Sequence, residues 1–327
     1  MSRPTIAVAD PIHAAGLARL RSSYDVAFLP ELTAPDAKAK AIAASDAIVV
    51  RVFKIDEALL GGAPKLKLIA KHGSGVDNID IPACSKHSVL VCNTPGGANS
   101  SSVAEGAVTL MLSVLRQVRA MDACVREGRF NERWKLSLHE LWGKTVGLVG
   151  LGQIARVAAR ICGAGFNAKV LGYDPFVSAA DMEKLGVTKV ETLTDMVARC
   201  DIVSVHVPLS KQTEHLINAE VLAAMQPHAI IVNTSRGGLI DERALVKALQ
   251  DKRIAGAGLD VFEEEPPAID NPLFKMDNVV LSPHVAGVTV DALKGMAMSV
   301  ADVIDNVFAG RRPPTLLNAD LWERRKS

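Results

Sequence analysis

Short apolar runs alternate along this chain with segments in which Ala and Leu recur at three- and four-residue spacing. The first runs fall at residues 5–8, 26–29, 47–52, 66–70 and 89–92. Each is continuous but too short for a helix, as expected of parallel strands buried on both faces. Strands alternating with helices predict parallel α/β layers. The pattern breaks at residues 93–97, Asn-Thr-Pro-Gly-Gly, and Ser102-Val103-Ala104-Glu105 then offers a capping box for a long helix. Val103, Ala107, Leu110, Met111, Val114, Val118, Met121 and Val125 recur on one face of that helix, which is predicted to cross between domains. A second alternating series follows at residues 146–149, 169–174, 202–207, 229–233, 257–261 and 279–282, with a helix at 243–250. A last helix, 290–309, has the length to return to the first domain. The expected division is a discontinuous domain of residues 1–98 and 287–327 around a second domain of residues 99–286; 327 residues exceed one ordinary core.

Composition narrows the partners. Apolar residues make up 49% and charged residues 22%, with 37 Lys+Arg against 36 Asp+Glu. The net charge of +1 offers no global field for nucleic acid or an anionic membrane, so an anionic ligand must be held by local groups. The five cysteines, Cys84, Cys92, Cys124, Cys162 and Cys200, are odd in number and never spaced C-x-x-C. Neither a disulfide framework nor a metal site is expected, and a reducing compartment fits. No run approaches a membrane span, and residues 5–10 read as a first strand rather than a signal peptide, so a cytoplasmic location is expected.

The strongest local signal is Gly150-Leu151-Gly152-Gln153-Ile154-Ala155, set between the strand 146–149 and a helix. Gly150 permits a tight turn, Gly152 keeps side-chain atoms away from a pyrophosphate, and Ala155 lets the helix pack closely, with the phosphates at the helix N-terminus. Glycine turns before helices are common, so the motif alone is weak. Asp174, at the end of the next apolar strand, adds a carboxylate placed to accept hydrogen bonds from an adenosine ribose. Together they predict dinucleotide binding.

Further polar residues sit where strands end, which is where ligands collect in open α/β sheets. Arg236 follows the strand 229–233, Asp260 and Glu265 follow 257–259, and His284 follows 279–282. Singly, each has an ordinary explanation: an arginine in a surface ion pair, a solvated acidic run Glu263–Glu265, a structural histidine. As a set they are coherent. A histidine moves protons near neutral pH, a carboxylate fixes its tautomer and favours its charged form, and an arginine binds a carboxylate bidentately. Beside a nicotinamide, such a set fits reduction of a 2-keto acid.

These residues, with His72-Gly-Ser-Gly-Val-Asp-Asn78-Ile-Asp80, His206-Val207-Pro208, Asn233-Thr-Ser-Arg-Gly-Gly238, Gly258-Leu-Asp-Val-Phe262 and Ser282-Pro-His284, carry a resemblance to the D-isomer-specific 2-hydroxyacid dehydrogenases over nearly the whole chain. The resemblance implies two doubly wound parallel-sheet domains, a Rossmann NAD-binding domain inserted into a flavodoxin-like substrate domain. It implies that Arg236 holds the substrate carboxylate, His284 exchanges the proton at C2, and Glu265 orients and charges His284. The Ser74, Gly75 and Val76 backbone would form a nest for the carboxylate. Asp260 would accept from the nicotinamide carboxamide. The remaining NAD contacts would come from Val103, Gly150, Gly152, Gln153, Ile154, Asp174, His206, Val207, Pro208, Thr213, Thr234, Ser235, Arg236, His284 and Gly287. Similar enzymes are homodimers through the cofactor domain, with the stretch around Trp134 reaching towards the partner.

Within the family, Glu265 disfavours a formate dehydrogenase, where an amide is expected. The chain also ends before the regulatory domains that full-length phosphoglycerate dehydrogenases often carry. Arg51 and Lys71 stand where relatives that bind phosphohydroxypyruvate have basic residues, and a hydroxypyruvate or glyoxylate reductase is equally open. If both cations face the substrate, a polar or anionic group on C3 is expected; the alternative is that they are ordinary solvated side chains. NADH-sensing corepressors share the same three residues, so a non-catalytic binding protein is the second reading.

Overall fold

Among the described residues, 3–94 and 98–325 of a computed structural model, twelve strands sort into two all-parallel sheets. The first holds β1 (Thr5–Val8), β2 (Asp25–Phe28), β3 (Ala47–Val50), β4 (Leu68–Lys71) and β5 (Leu90–Cys92) in the order β2-β1-β3-β4-β5. The second holds β6 (Thr145–Val149), β7 (Lys169–Tyr173), β8 (Val187–Lys189), β9 (Ile202–Val205), β10 (Ile230–Asn233), β11 (Gly256–Leu259) and β12 (Val279–Leu281), in the order β12-β11-β10-β9-β6-β7-β8. The first is the flavodoxin-like order, and the second is the dinucleotide-binding order with one strand added at the edge. Strand order reverses between β1 and β3 in one sheet and between β6 and β9 in the other. Crevices open at the carboxyl ends of strands at such points.

Why these runs form central strands is visible in their burial. β3, β4, β9 and β10 are buried at every position, and successive residues face opposite sides. In the first sheet Ile6, Val8, Val49 and Leu68 pack with Val300 and Ile304 of the helix Val290–Phe308, while Ala7, Ile48, Val50 and Ile69 form the opposite core. In the second, Val146, Leu148, Ile202 and Val232 pack with Ala104, Ala107 and Met111 of the helix Ala98–Leu115, while Val149, Val203, Val205 and Ile231 form the other side. Contacts divide the chain into two units, one of the residues through Asn99 with those from Val288 onward, the other Ser100–Gly287. No helix among the described residues is long and apolar enough to cross a membrane.

Three sequence expectations need correction. The long helix is two: Ala98–Leu115 stops, Gln117 takes a left-handed φ of 47°, and Val118–Arg126 starts anew. On the second piece Cys124 is buried while Val118 and Val125 are exposed, so one apolar face does not run through. Ser102 lies inside the helix Ala98–Leu115, because the helix is already formed at Ala98, and so it is not the N-cap residue. β8 was not anticipated: Val187-Thr188-Lys189 is an edge strand with one buried position and no apolar run. Residues 95–97, part of the predicted break, lie outside the described residues.

Candidate functional site

In the second sheet the glycine turn joins β6 to the helix Gln153–Arg160. Gly150 has φ +88°, and a Cβ there would meet Val207 Cγ1 at 2.6 Å and the His206 carbonyl oxygen at 3.0 Å, so only glycine fits. At Gly152 a Cβ would meet nothing within 4 Å, and the helix N-terminus beyond it is open. Gln153 is exposed and Ile154 half-buried, whereas Ala155 is fully buried in the core between helix and sheet. Asp174, just past β7, accepts from the Leu151 amide at 2.9 Å through Oδ2 and from the Phe176 amide at 2.9 Å through Oδ1. The acid therefore fixes the glycine turn and its own loop, and each oxygen keeps a lone pair for a further donor. An open helix N-terminus beside a fixed carboxylate, at the strand-order reversal, fits a dinucleotide.

Across that reversal β9 ends at Val205, leaving His206, Val207 and Pro208 to line the turn. Burial pushes the His206 imidazole down to about 4, and neither ring nitrogen has a hydrogen-bond partner among the described residues. Thr213 closes the following loop by donating to the Pro208 carbonyl at 2.7 Å. After β10, Thr234 is buried, Ser235 donates to the Val205 carbonyl at 2.9 Å, and Arg236 is half-buried with Nη1 donating to the Ser235 carbonyl at 2.7 Å. Asn233 holds this turn from both ends, donating to the Arg236 carbonyl at 2.8 Å and accepting from the Ser235 amide at 2.9 Å. Val103 is buried in the helix Ala98–Leu115.

Glu265 and His284 are brought together: His284 Nδ1 lies 2.8 Å from Glu265 Oε2, and Glu265 Oε1 accepts from the Phe262 amide at 3.1 Å. The two side chains are 48% and 37% exposed, so the pair is reachable from solvent. His284 adopts φ 56°, a left-handed conformation that costs a non-glycine residue roughly 1–2 kcal/mol. Asp260 offsets this cost. It is 1% exposed, its carboxylate accepts from the Ser282 hydroxyl and from the Val285 and Ala286 amides at 2.8 and 2.9 Å, and its carbonyl accepts from the His284 amide at 2.8 Å. Asp260 thus ties β11 to the loop that ends at Gly287 and carries the histidine. Beyond the cofactor contact that the resemblance implies for Asp260, this holding role depends on β11 and β12 being neighbours, which the sequence does not report.

The first sheet groups the other candidates. Arg51 follows β3 and is half-buried, and Lys71 ends β4 and is 7% exposed. The Lys71 ammonium donates to the Arg51 carbonyl and to Asn78 Oδ1, each at 2.5 Å. Lys71 is therefore a buried, committed cation, not the solvated one the sequence left open. Next to it, burial, with the charges of Arg51 and Lys71 adding to it, holds the His72 imidazole below its ordinary value. Ser74, Gly75 and Val76 form the turn after β4, and their amides find no acceptor among the described residues. Asn93 steadies that turn by donating to the Ser74 carbonyl at 2.8 Å.

Residues 108–286 match the family model described as D-isomer specific 2-hydroxyacid dehydrogenase, NAD binding domain. Over 336 aligned residues the chain is 39% identical to the glyoxylate reductase of Thermofilum pendens, covering 99% of this chain and 97% of that protein. It is 41% identical over 323 residues to the D-3-phosphoglycerate dehydrogenase of Mycobacterium tuberculosis, covering 97% of this chain but only 59% of that longer relative. Among solved structures, the NADPH-dependent glyoxylate/hydroxypyruvate reductase of Sinorhizobium meliloti in complex with NADP and malonate superposes with a TM-score of 0.85 at 32% identity, covering 100% of this chain and 99% of that one.

Proposed function

The chain belongs to the D-isomer-specific 2-hydroxyacid dehydrogenases, and from that premise we propose that it interconverts a small D-2-hydroxy acid and its 2-keto acid with NAD(H). A bound nicotinamide supplies or accepts the hydride. Arg236 pairs with the substrate carboxylate. In the unit of the first sheet, the amides of Ser74, Gly75 and Val76 form a nest of the kind that suits a carboxylate. His284 gives a proton to the C2 oxygen in reduction and takes it back in oxidation. Glu265, bonded to Nδ1, orients the ring and leaves Nε2 to exchange that proton. The observation that carries the reading is this 2.8 Å pair, held on a left-handed histidine at the strand ends of a dinucleotide-binding sheet.

Arg51 gives the substrate reading its direction: a cation on the first sheet favours a C3 substituent that is anionic or strongly polar. Hydroxypyruvate and phosphohydroxypyruvate carry such a substituent and agree with the relatives' names; glyoxylate, also in those names, has no C3, so Arg51 gives it no advantage. The preferred cofactor is NAD(H), since Asp174 would repel a 2′-phosphate. We read the assembly as a homodimer through the unit Ser100–Gly287, where Phe130, Trp134 and Trp142 are 59%, 81% and 62% exposed and supply apolar surface for a second copy.

The test is a 2-keto acid panel with NADH followed by absorbance. Turnover fastest on hydroxypyruvate or phosphohydroxypyruvate, giving the D product, is expected. Branched-chain keto acids winning would overturn the substrate reading; dinucleotide binding without any turnover would favour a redox-responsive binding protein.

A further inference from the structure

The loop after β3 is held on both of its polar edges. The amides of Arg51, Val52 and Phe53 converge on one oxygen, Asp10 Oδ2, at 2.6, 3.0 and 3.0 Å. The Arg51 carbonyl accepts from the Lys71 ammonium at 2.5 Å, and the Phe53 carbonyl accepts from Asn78 Nδ2 at 2.6 Å. Lys71 and Asn78 are themselves joined through Asn78 Oδ1 at 2.5 Å. Asp10 lies just past β1 and is 9% exposed, so these bonds form at the strand-order reversal of the first sheet, out of water.

Three consecutive amides aimed at one point make the concavity that elsewhere binds an external anion. Here Asp10 fills it from within. An anionic ligand approaching this crevice cannot use those amides, and what the loop offers instead is the Arg51 guanidinium. That side chain is half-buried and makes no hydrogen bond or ion pair among the described residues. Hydrogen-bonded backbone beneath a cation with no partner among the described residues is the arrangement expected of a binding group that loses little conformational freedom when a ligand arrives.

We propose that Asp10, Lys71 and Asn78 form a clamp that positions Arg51, and that Asp10 and Lys71 act on substrate selection through Arg51 without touching the substrate. The proposal rests on the reading above that Arg51 meets the C3 substituent. It reassigns Lys71 from a substrate contact to a positioning residue. It also assigns Asp10, which no motif marked, to the same machinery.

Two measurements test it. In Asp10→Ala, hydrogen exchange of the amides at residues 51–53 should accelerate at least about tenfold while amides in β6 keep the parent rate, because one shared acceptor is lost. Unchanged exchange would overturn the clamp, and this readout needs no turnover. In steady-state kinetics, Asp10→Ala should raise KM for phosphohydroxypyruvate about tenfold more than KM for pyruvate, as expected when one charge-assisted contact is misplaced. In an Arg51→Ala background Asp10→Ala should add nothing to that KM ratio, and Lys71→Arg should restore most of what Lys71→Met loses. Additive effects of Asp10→Ala and Arg51→Ala, or equal losses on both substrates, would overturn the positioning role while leaving the dehydrogenase reading intact. A parent protein without turnover on any 2-keto acid would overturn that reading instead, and the exchange rates would still decide the clamp. Should Asp10→Ala fail to fold, Asp10→Asn, which keeps an acceptor of lower charge, should show the same pattern at smaller amplitude; parent-like exchange and KM ratios there would count against the clamp.

Discussion

Adding one methyl group at Gly237 should disable the site while leaving the dinucleotide end of the sheet intact. A Cβ built on Gly237 would lie 1.8 Å from the Phe262 carbonyl oxygen, 1.9 Å from its carbon and 2.4 Å from the Glu263 nitrogen. All three are backbone atoms, so no rotamer relieves the overlap. Ordinary contacts begin near 3.5 Å, and the two loops must part by roughly 1.5 Å. One loop carries Arg236; the other carries Glu265, whose Oε1 takes its hydrogen bond from the Phe262 amide. Misplacement of a reacting group by about 1 Å costs on the order of 100-fold in rate. Overpacking of this kind costs about 1–3 kcal/mol of stability. Gly237→Ala should therefore lower kcat/KM about 100-fold, with NADH affinity by fluorescence titration within a few-fold of the parent and a modest fall in Tm. Gly238→Ala is the control, because its Cβ would meet only the end of the Leu209 side chain, Cδ2 at 3.3 Å. Near-parental kcat/KM in Gly237→Ala, or equal losses in both variants, would refute the coupling of the two loops.

Asp174→Ala should raise KM for NADH and narrow the preference over NADPH, and because Asp174 also holds the Leu151 amide it should weaken NADPH binding too rather than simply exchange one cofactor for the other. A clean switch to NADPH with undiminished efficiency would contradict that dual role. Glu265→Gln should lower kcat for reduction about tenfold or more, since Nδ1 loses the carboxylate that orients the ring, and His284→Ala should lose turnover far more than NADH affinity. Parental kcat in Glu265→Gln would separate Glu265 from the proton transfer. His206, held neutral down to about 4 against an ordinary 6.5, makes the apo protein lose stability in acid. Above pH 6.5 both states are neutral there; as pH falls towards 4 only the unfolded chain takes up the proton, and stability drops by roughly 1 kcal/mol per pH unit across that window. Denaturant unfolding of His206→Leu at pH 8 and pH 5 should show a shallower loss than the parent, and an identical slope would assign the acid sensitivity elsewhere.

The elements that were legible in the sequence share one property: their environment is written into their own residues. β3, β4, β9 and β10 are buried on both faces, so their runs are apolar but for one polar residue each in β4, β9 and β10 (Lys71, Ser204 and Asn233), and such runs are not mistaken for loops. The glycine turn is equally self-declaring, because φ +88° at Gly150 admits no side chain. β8 lacks that property; an edge strand with one buried position is held by its pairing with β7, which no local pattern reports. The break at Gln117 is similar, since the apolar spacing continues through it, and only the structure shows the left-handed Gln117 and a second helix that buries Cys124 and exposes Val118 and Val125.

For the site, residue type and strand-end position marked Arg236, Glu265 and His284, because the chemistry needs those groups and open sheets collect them there. Which nitrogen of His284 meets Glu265, that Asp260 holds the histidine loop, and that Asp10 and Lys71 grip the loop of Arg51 were decided only by the tertiary structure. Each of those contacts joins residues from different strands, and a hydrogen bond between strand ends depends on which strands are neighbours. Strand order is a long-range outcome of burying both faces of two sheets, so the sequence names the reactive groups, while the sheets determine what holds each one in place.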